Sequence, residues 1–408
     1  MIKHVFVCSI PGVFCGGYII LGNSKLQNKN SLHKHRDNEA PRVDHTPNSA
    51  VIRNHYQNIL HKRNLSDPIY WLDDLSLEAG LQPEFDMEFP TIEGTRPRIP
   101  HILHQVFLTS NLDDGVPEEF LDNVKTFFKH NPNWTYFFWT QRTARALLTD
   151  RYPNLLPIFD ATSPTVVKGD MLRYVLLYEY GGLYADLDVS NVRHLDIVTM
   201  KYPCMLVPEP FEHAGWWYGD PYIIINAIMF CRPKHPLFKQ IVDHIPSRQN
   251  VPGVVHKLGP GFLTTEYRLY NNITKDIYRI DISQDTTSPY FYKGEIPPTH
   301  DNGVYVPNTR YFMDSPSPDI YKTAESECRR LDLSNLGKRI CHVIKERGMT
   351  RSPGNHTFLT HLWSHTWNRP NSDSKTYTFV SVKNMIKHFT NYFIEKAKSK
   401  REEMYNSN

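Results

Sequence analysis

The sequence has no G-x-G-x-x-G after its first candidate strand and no G-x-x-x-x-G-K-[ST]. Neither a dinucleotide fingerprint nor a Walker A phosphate loop opens the fold. Cysteine is scarce, six in 408 residues, and none lies at zinc-site spacing. An excess of either charge is lacking too, with 46 Lys and Arg against 43 Asp and Glu. The formal net charge is +3, which excludes a protein built to neutralise nucleic-acid phosphates. The 23 Tyr and 21 Phe are spread through apolar stretches and form no basic-aromatic stripe, and no internal repeat is visible. With 40% hydrophobic and 22% charged residues, the chain can bury the core of one large α/β domain with extensions.

Long apolar runs are absent but for one. "VFVCSIPGVFCGGYIIL", residues 5 to 21, carries no charge and approaches the length of about 20 residues that a bilayer requires. It reads as a signal anchor over 1–22, with a cleaved signal peptide as the alternative. Lys25, Lys29, Lys34 and Arg36 place more positive charge after the run than before it, against the usual sense for a cytoplasmic N-terminus. Residues 23–66 are rich in Asn, His, Lys and Ser and read as a stalk. A catalytic domain is expected over 67–375 and a basic, amphipathic helical tail over 376–408. Either N-terminal reading sends the chain into the secretory pathway. The expected place is the Golgi membrane, single-pass type II with a luminal catalytic domain, or secretion after cleavage. Sequons at Asn64, Asn133, Asn272 and Asn355 agree with that. So do Cys204, Cys231, Cys328 and Cys341, an even set outside the apolar run. Buried free thiols remain an equal reading for Cys204 and Cys231.

From residue 98 onward strand and helix patterns alternate. "HILHQVFL", "WTYFFWT", "LYADLDV", "CMLVPEP" and "YIIINAIMFCRP" read as strands; "PEEFLDNVKTFFKHN", "RTARALLTDRY", residues 168 to 180 and "HPLFKQIVDHI" read as helices. This predicts an open, mostly parallel α/β sheet of Rossmann-like type, flanked by helices, with ligands beyond the carboxyl ends of its strands. The chemistry concentrates in "KGDMLRYVLLYEYGGLYADLDVS", residues 168 to 190. Asp170 and Arg173 stand at helical spacing, Gly181-Gly182 breaks the helix, and "LYADLDV" then alternates, so Asp186 and Asp188 share one face. Two carboxylates so placed repel unless a cation lies between them, and oxygen donors suit Mn²⁺ or Mg²⁺.

The stretch resembles glycosyltransferase family 32, whose pattern runs roughly [RK]-[AS]-D-x-x-R-Y-x-x-L-x-x-[YF]-G-G-[VIL]-Y-x-D-x-D. "RIPHILHQVF", "NPNWTYFFWT", "INAIMFCRPKHPLF", "GPGFLT" and "HLWSHTW" are similar to further elements of that family and occur in its order, over about residues 95 to 370. The chain departs from the pattern at Gly169, at Phe107, where the family usually has Trp, and at His365-Thr366. The resemblance implies a GT-A-type fold and a retaining, metal-dependent hexosyltransferase. It implies Asp186, Asp188 and His361 at the metal, and Asp170, Arg173, Tyr184, Asn226, Gly259 and Phe107 at the donor, with Trp367 closing over the nucleotide. The implied donor is a nucleotide-sugar, GDP-mannose or a UDP-hexose, and the acceptor a glycan or glycolipid. The alternatives are a UDP-sugar-dependent α-1,4-galactosyl- or N-acetylglucosaminyltransferase and a non-catalytic glycosyltransferase-like binding protein. A phosphatase nucleophile loop, D-x-D-x-[TV], is disfavoured because several strands precede the motif.

Overall fold

The computed structural model describes residues 4–6, 17–19, 89, 96–109, 115–219, 223–273, 296, 299–307, 309–313, 315–347, 354, 356–364 and 377–381. Its strands are β1 (His4–Phe6), β2 (Gly17–Ile19), β3 (Ile102–Val106), β4 (Val116–Pro117), β5 (Thr135–Trp139), β6 (Gly182–Ala185), β7 (Val189–Asn191), β8 (Cys204–Pro208), β9 (Ile224–Cys231), β10 (Leu359–His361) and β11 (Phe379–Val380). The main helices are α1 (Leu121–His130), α2 (Gln141–Arg151), α3 (Thr165–Tyr180), α4 (Pro236–His244), α5 (Pro260–Tyr270) and α6 (Asn335–Arg347).

The central sheet runs β2-β1-β5-β3-β6-β9-β8. It is parallel from β1 through β5 and β3 to β6, and antiparallel where β9 joins β6 and β8 joins β9. Successive side chains fall into two cores, as a strand period of two requires. Tyr184, Met229 and Cys231 face α3, α4 and α5, while Leu183, Ala185 and Phe230 face α1 and the segment around Phe312 and Phe358. Burying each such large apolar side chain stabilises the fold by about 2–3 kcal/mol.

α3 is buried along most of its length, from Val167 through Leu177. It ends at Gly181, φ +66°, and Gly182 follows at φ +99°. A Cβ at Gly181 would stand 2.5 Å from the Pro233 nitrogen, and one at Gly182 would stand 2.4 Å from the Ile102 carbonyl oxygen. Only glycine permits both the left-handed turn and the close approach of the neighbouring chain. The pair thus delivers β6 directly beneath the end of α3.

Two disulfides close: Cys204–Cys231, joining directly opposed residues of β8 and β9, and Cys328–Cys341. The thiol reading of Cys204 and Cys231 is set aside by that register. Of the 1–22 segment expected to form an anchor, only β1 and β2 are described. They pair antiparallel with each other, and β1 pairs parallel with β5; the rest of the segment lies outside the described residues. Among the described residues no helix is long and apolar enough to cross a membrane. β11 lies in the segment expected to be a tail, yet it pairs antiparallel with β4. The amphipathic pattern after residue 382 and the 23–66 stalk lie outside the described residues.

Candidate active site

The D-x-D carboxylates do not stand on a continuing strand, as their alternation suggested. β6 stops at Ala185; the Asp186 amide still donates to the Ala227 carbonyl (2.9 Å), and the Val189 amide then donates back to the Asp186 carbonyl (3.1 Å). That turn places Leu187 inward and leaves both carboxylates at the carboxyl end of a central strand. Gln105 Nε2 donates to the Asp186 carbonyl at 3.3 Å, and Asn123 Nδ2 to the Leu187 carbonyl at 3.0 Å, so β3 and α1 pin the turn from both sides.

His361 arrives from far along the chain. β10 pairs antiparallel with β7, setting His361 opposite Val189. The Leu362 amide donates to the Asp188 carbonyl and the Ser364 amide to Asp188 Oδ2, each at 2.9 Å. His361 Nε2 lies 3.3 Å from Asp188 Oδ1, and its Nδ1 accepts from the Trp363 amide at 3.1 Å. Burial pushes the Asp188 carboxyl up, but His361 and the Ser364 amide more than reverse this and hold it well below the usual carboxylate range. Burial lowers the His361 imidazole, and the neighbouring Asp188 outweighs it and raises it.

The ligand atoms of Asp186, Asp188 and His361 all lie within 4.8 Å of one another. Two carboxylates and one imidazole make a donor set that fits a hard or borderline divalent ion. With Nδ1 accepting a hydrogen bond, the ring proton sits on Nε2. An ion at Nε2 would move that proton to Nδ1 at the expense of the Trp363 contact.

Behind the carboxylates lies a buried polar network. Arg173 donates through Nη1 to the Asn226 carbonyl (2.7 Å), pairs with Asp170 Oδ1 (3.1 Å) and reaches Asp186 Oδ1 (3.3 Å). Its guanidinium lies 4.7 Å over the Tyr184 ring, whose hydroxyl donates to Asp186 Oδ1 at 2.6 Å. Asn226 Nδ2 donates to Asp170 Oδ1 (2.9 Å). Tyr174 continues the network to the Leu258 carbonyl (2.7 Å), beside Gly259 at the start of α5. Asp170 Oδ2 is buried and has no hydrogen-bond partner among the described residues. Burial pushes the Asp170 carboxyl up to about 7 against the pull of Arg173. Burial likewise raises Asp186, with Arg173 opposing.

The structure therefore brings Asp170, Arg173, Tyr184, Asp186, Asp188, Asn226 and His361 together. Arg173 and Tyr184 face the carboxylates rather than open space. The Asp170–Arg173 pair is not a surface ion pair. Phe107 follows β3 and packs edge-on to Tyr377 at 5.2 Å and against Phe379 at 5.9 Å. Trp367 lies outside the described residues. Sequence reasoning missed Gln105, Asn123, Glu209, His213 and Trp363. Only Trp363 carried a signal, as the first Trp of "HLWSHTW". It is buried, 4.3 Å from the His361 ring and 4.2 Å from that of His213. His213 in turn pairs with buried Glu209 at 3.5 Å.

Residues 117–205 match the family described as a glycosyltransferase sugar-binding region containing a DXD motif. Inositol phosphoceramide mannosyltransferase 2 of Schizosaccharomyces pombe is 31% identical over 40% of this chain and 45% of its own length. The mannosyl phosphorylinositol ceramide synthase CSH1 of Saccharomyces cerevisiae is 26% identical over 49% of this chain and 51% of its own. The initiation-specific α-1,6-mannosyltransferase of Candida albicans is 22% identical over 48% and 59%. The chain thus spans about half the length of the curated relatives it matches. Among solved structures, the galactosyltransferase LgtC covers 69% of this chain at 13% identity and a TM-score of 0.31, too low to carry an argument. The matched residues include the central motif, and the relatives are of the kinds that its resemblance to glycosyltransferase family 32 implied.

Proposed function

We propose that this chain is a metal-dependent, retaining glycosyltransferase that moves a hexose, mannose from GDP-mannose, to a glycan or glycolipid acceptor in the secretory pathway. The observation that carries the reading is the convergence of Asp186, Asp188 and His361 at the end of β6, inside a region that matches a D-x-D sugar-transferase family. The relatives' printed activities support mannose as the sugar. Two disulfides support an oxidising compartment.

Asp186, Asp188 and His361 would hold Mn²⁺ or Mg²⁺, which when bound supplies Lewis-acid stabilisation of the departing diphosphate. The protein's own share is orientation. Tyr184 and Arg173 fix the Asp186 carboxylate, and the Ser364 amide fixes Asp188, so little reorganisation is needed when the donor enters. Asp170 would accept from a hydroxyl of the donor hexose, and Arg173 would keep that carboxylate oriented. Transfer breaks the bond from hexose C1 to the diphosphate oxygen and forms one from C1 to the acceptor oxygen on the same face. The acceptor hydroxyl gives its proton to the departing diphosphate oxygen on that face. The phosphatase alternative requires Asp186 as a free nucleophile, and Tyr184 and Arg173 already occupy that carboxylate.

The test is a donor screen of the full chain with Mn²⁺, reading nucleoside diphosphate release from GDP-mannose, UDP-galactose and UDP-N-acetylglucosamine. GDP-mannose is expected to lead. Preference for a UDP-sugar overturns the mannose assignment, and release from no donor overturns the transferase.

A further inference from the structure

Among the described residues, three that are not glycine take a left-handed backbone: Lys234, Asn272 and Trp363. Lys234 and Asn272 are exposed, and Trp363 is buried. Its φ is +54°. A bulky side chain is strained in that conformation, and glycine is the residue that would relieve it. Such strain persists only where surrounding contacts hold it, and it gathers at functional sites. Here the turn has a visible use. It folds residues 361–364 around Asp188: the Leu362 amide donates to the Asp188 carbonyl and the Ser364 amide to Asp188 Oδ2, each at 2.9 Å.

The turn accounts for the backbone but not for the indole. The Trp363 ring touches two imidazoles, with centroids 4.3 Å from His361 at 69° and 4.2 Å from His213 at 61°. Edge-to-face geometry of this kind is favourable for aromatic pairs. Trp363 Nε1 donates to the Ser315 carbonyl at 2.9 Å. The second imidazole is itself fixed. His213 Nε2 accepts from the Ser317 amide at 2.7 Å, and its Nδ1 lies 3.5 Å from buried Glu209. The π-helical turn that follows, Ala214–Tyr218, seats Gly215 against α6, where a Cβ would stand 2.7 Å from Ile340 Cδ1. The indole thus ties His361 to a well-anchored part of the fold. The Trp363 amide also holds His361, through Nδ1, but an ion at Nε2 displaces that contact. The ring packing then remains to keep the imidazole in place.

We propose that Trp363 is a positioning residue for the candidate metal site: its indole, packed against both His361 and His213, orients the His361 imidazole so that a divalent ion meets a preformed ligand. A group that fixes a ligand's orientation raises affinity, because less side-chain freedom is lost when the ion binds. The inference rests on the ion site of the transferase reading and extends it to how that site is held. It requires no particular donor or acceptor.

The experiment reads Mn²⁺ affinity of the full chain by electron paramagnetic resonance, with urea unfolding as the check on folding. Trp363→Gly suits the left-handed backbone and removes the ring. It should weaken Mn²⁺ binding about tenfold, the lower end of what losing the support of a metal ligand costs. Trp363→Phe keeps a ring beside both imidazoles and should restore most of that loss. In a His361→Ala background, Trp363→Gly should change the affinity by no more than about twofold, because the ring then has no ligand to orient. If Trp363→Gly does not fold, Trp363→Leu, which keeps apolar volume without a ring, takes its place. Wild-type affinity in the ringless variant overturns the positioning role. So does a Phe variant that binds no better than the ringless one, and so does an equal loss with and without His361. A wild-type chain that binds no Mn²⁺ refutes the ion site itself, and with it the metal-dependent reading.

Discussion

Replacing Arg173 by Lys is the sharpest probe of the network behind the carboxylates. The guanidinium serves three acceptors at once: the Asn226 carbonyl at 2.7 Å, Asp170 Oδ1 at 3.1 Å and Asp186 Oδ1 at 3.3 Å. These lie in different directions from a planar fork. A lysine ammonium is a point charge on a flexible stem and cannot span them. One contact survives and two charge-assisted hydrogen bonds are lost, each worth about 1.5–3 kcal/mol. Asp170 stays buried and Asp186 half-buried, so the expected loss of stability is about 3 kcal/mol, the lower end of the scale found when a buried pair is broken. Urea unfolding of the full chain measures it. Asp170→Asn combined with Arg173→Met removes the charge on both sides of the i,i+3 pair and should recover part of the loss suffered by Arg173→Met alone, without recovering transfer. Stability of Arg173→Lys within about 1 kcal/mol of wild type, or a double variant no more stable than Arg173→Met, would refute the three-acceptor account.

Asp188→Asn keeps the side chain's size but removes the charge that His361 and an ion would share. Mn²⁺ affinity read by electron paramagnetic resonance should fall at least tenfold and turnover ~10²-fold; unchanged Mn²⁺ binding contradicts the assigned site. His104 is buried, accepts from the Trp139 indole at Nδ1 (3.1 Å) and binds the Gly181 carbonyl through Nε2 (2.9 Å), so a second ring proton would face a donor. Burial holds its pKa down to about 4, against 6.5 unfolded. The unfolded chain therefore binds more protons between those values, and stability should fall by about 3 kcal/mol as pH drops from 6.5 to 4. His104→Gln should flatten that slope, and a variant with the wild-type slope rules His104 out as its source. Cys328 and Cys341 are separated by 13 residues, so Cys328→Ser with Cys341→Ser should cost about 3 kcal/mol in denaturant unfolding. A cost below about 1 kcal/mol shows that the link does not constrain the chain that carries α6.

Much of this protein was legible in its residue order. The period of two in "HILHQVF" and "YFFW", the apolar helix before Gly181-Gly182 and the Asp-x-Asp after it required only local physics, because strand alternation, helix termination and carboxylate repulsion act within a few residues. What the sequence could not convey is where separate segments meet. The turn at Asp186–Val189 ends β6 because β9 pairs with the residues before it and β10 with those after it, and no local pattern announces that. Arg173 was expected to reach one ligand together with Asp170, but spacing alone does not show burial or which groups it meets. Only the packing of α3 on β9 turns it toward Asn226 and Asp186. His361 was matched by motif, but its position 3.3 Å from Asp188 follows from the pairing of β10 with β7. Trp217 was silent in the sequence altogether. A π-helical turn and a glycine pressed against α6 decide that Trp216 is half-buried and its neighbour exposed. Such a choice between adjacent residues depends on the packing partner, which lies more than a hundred positions away in the chain.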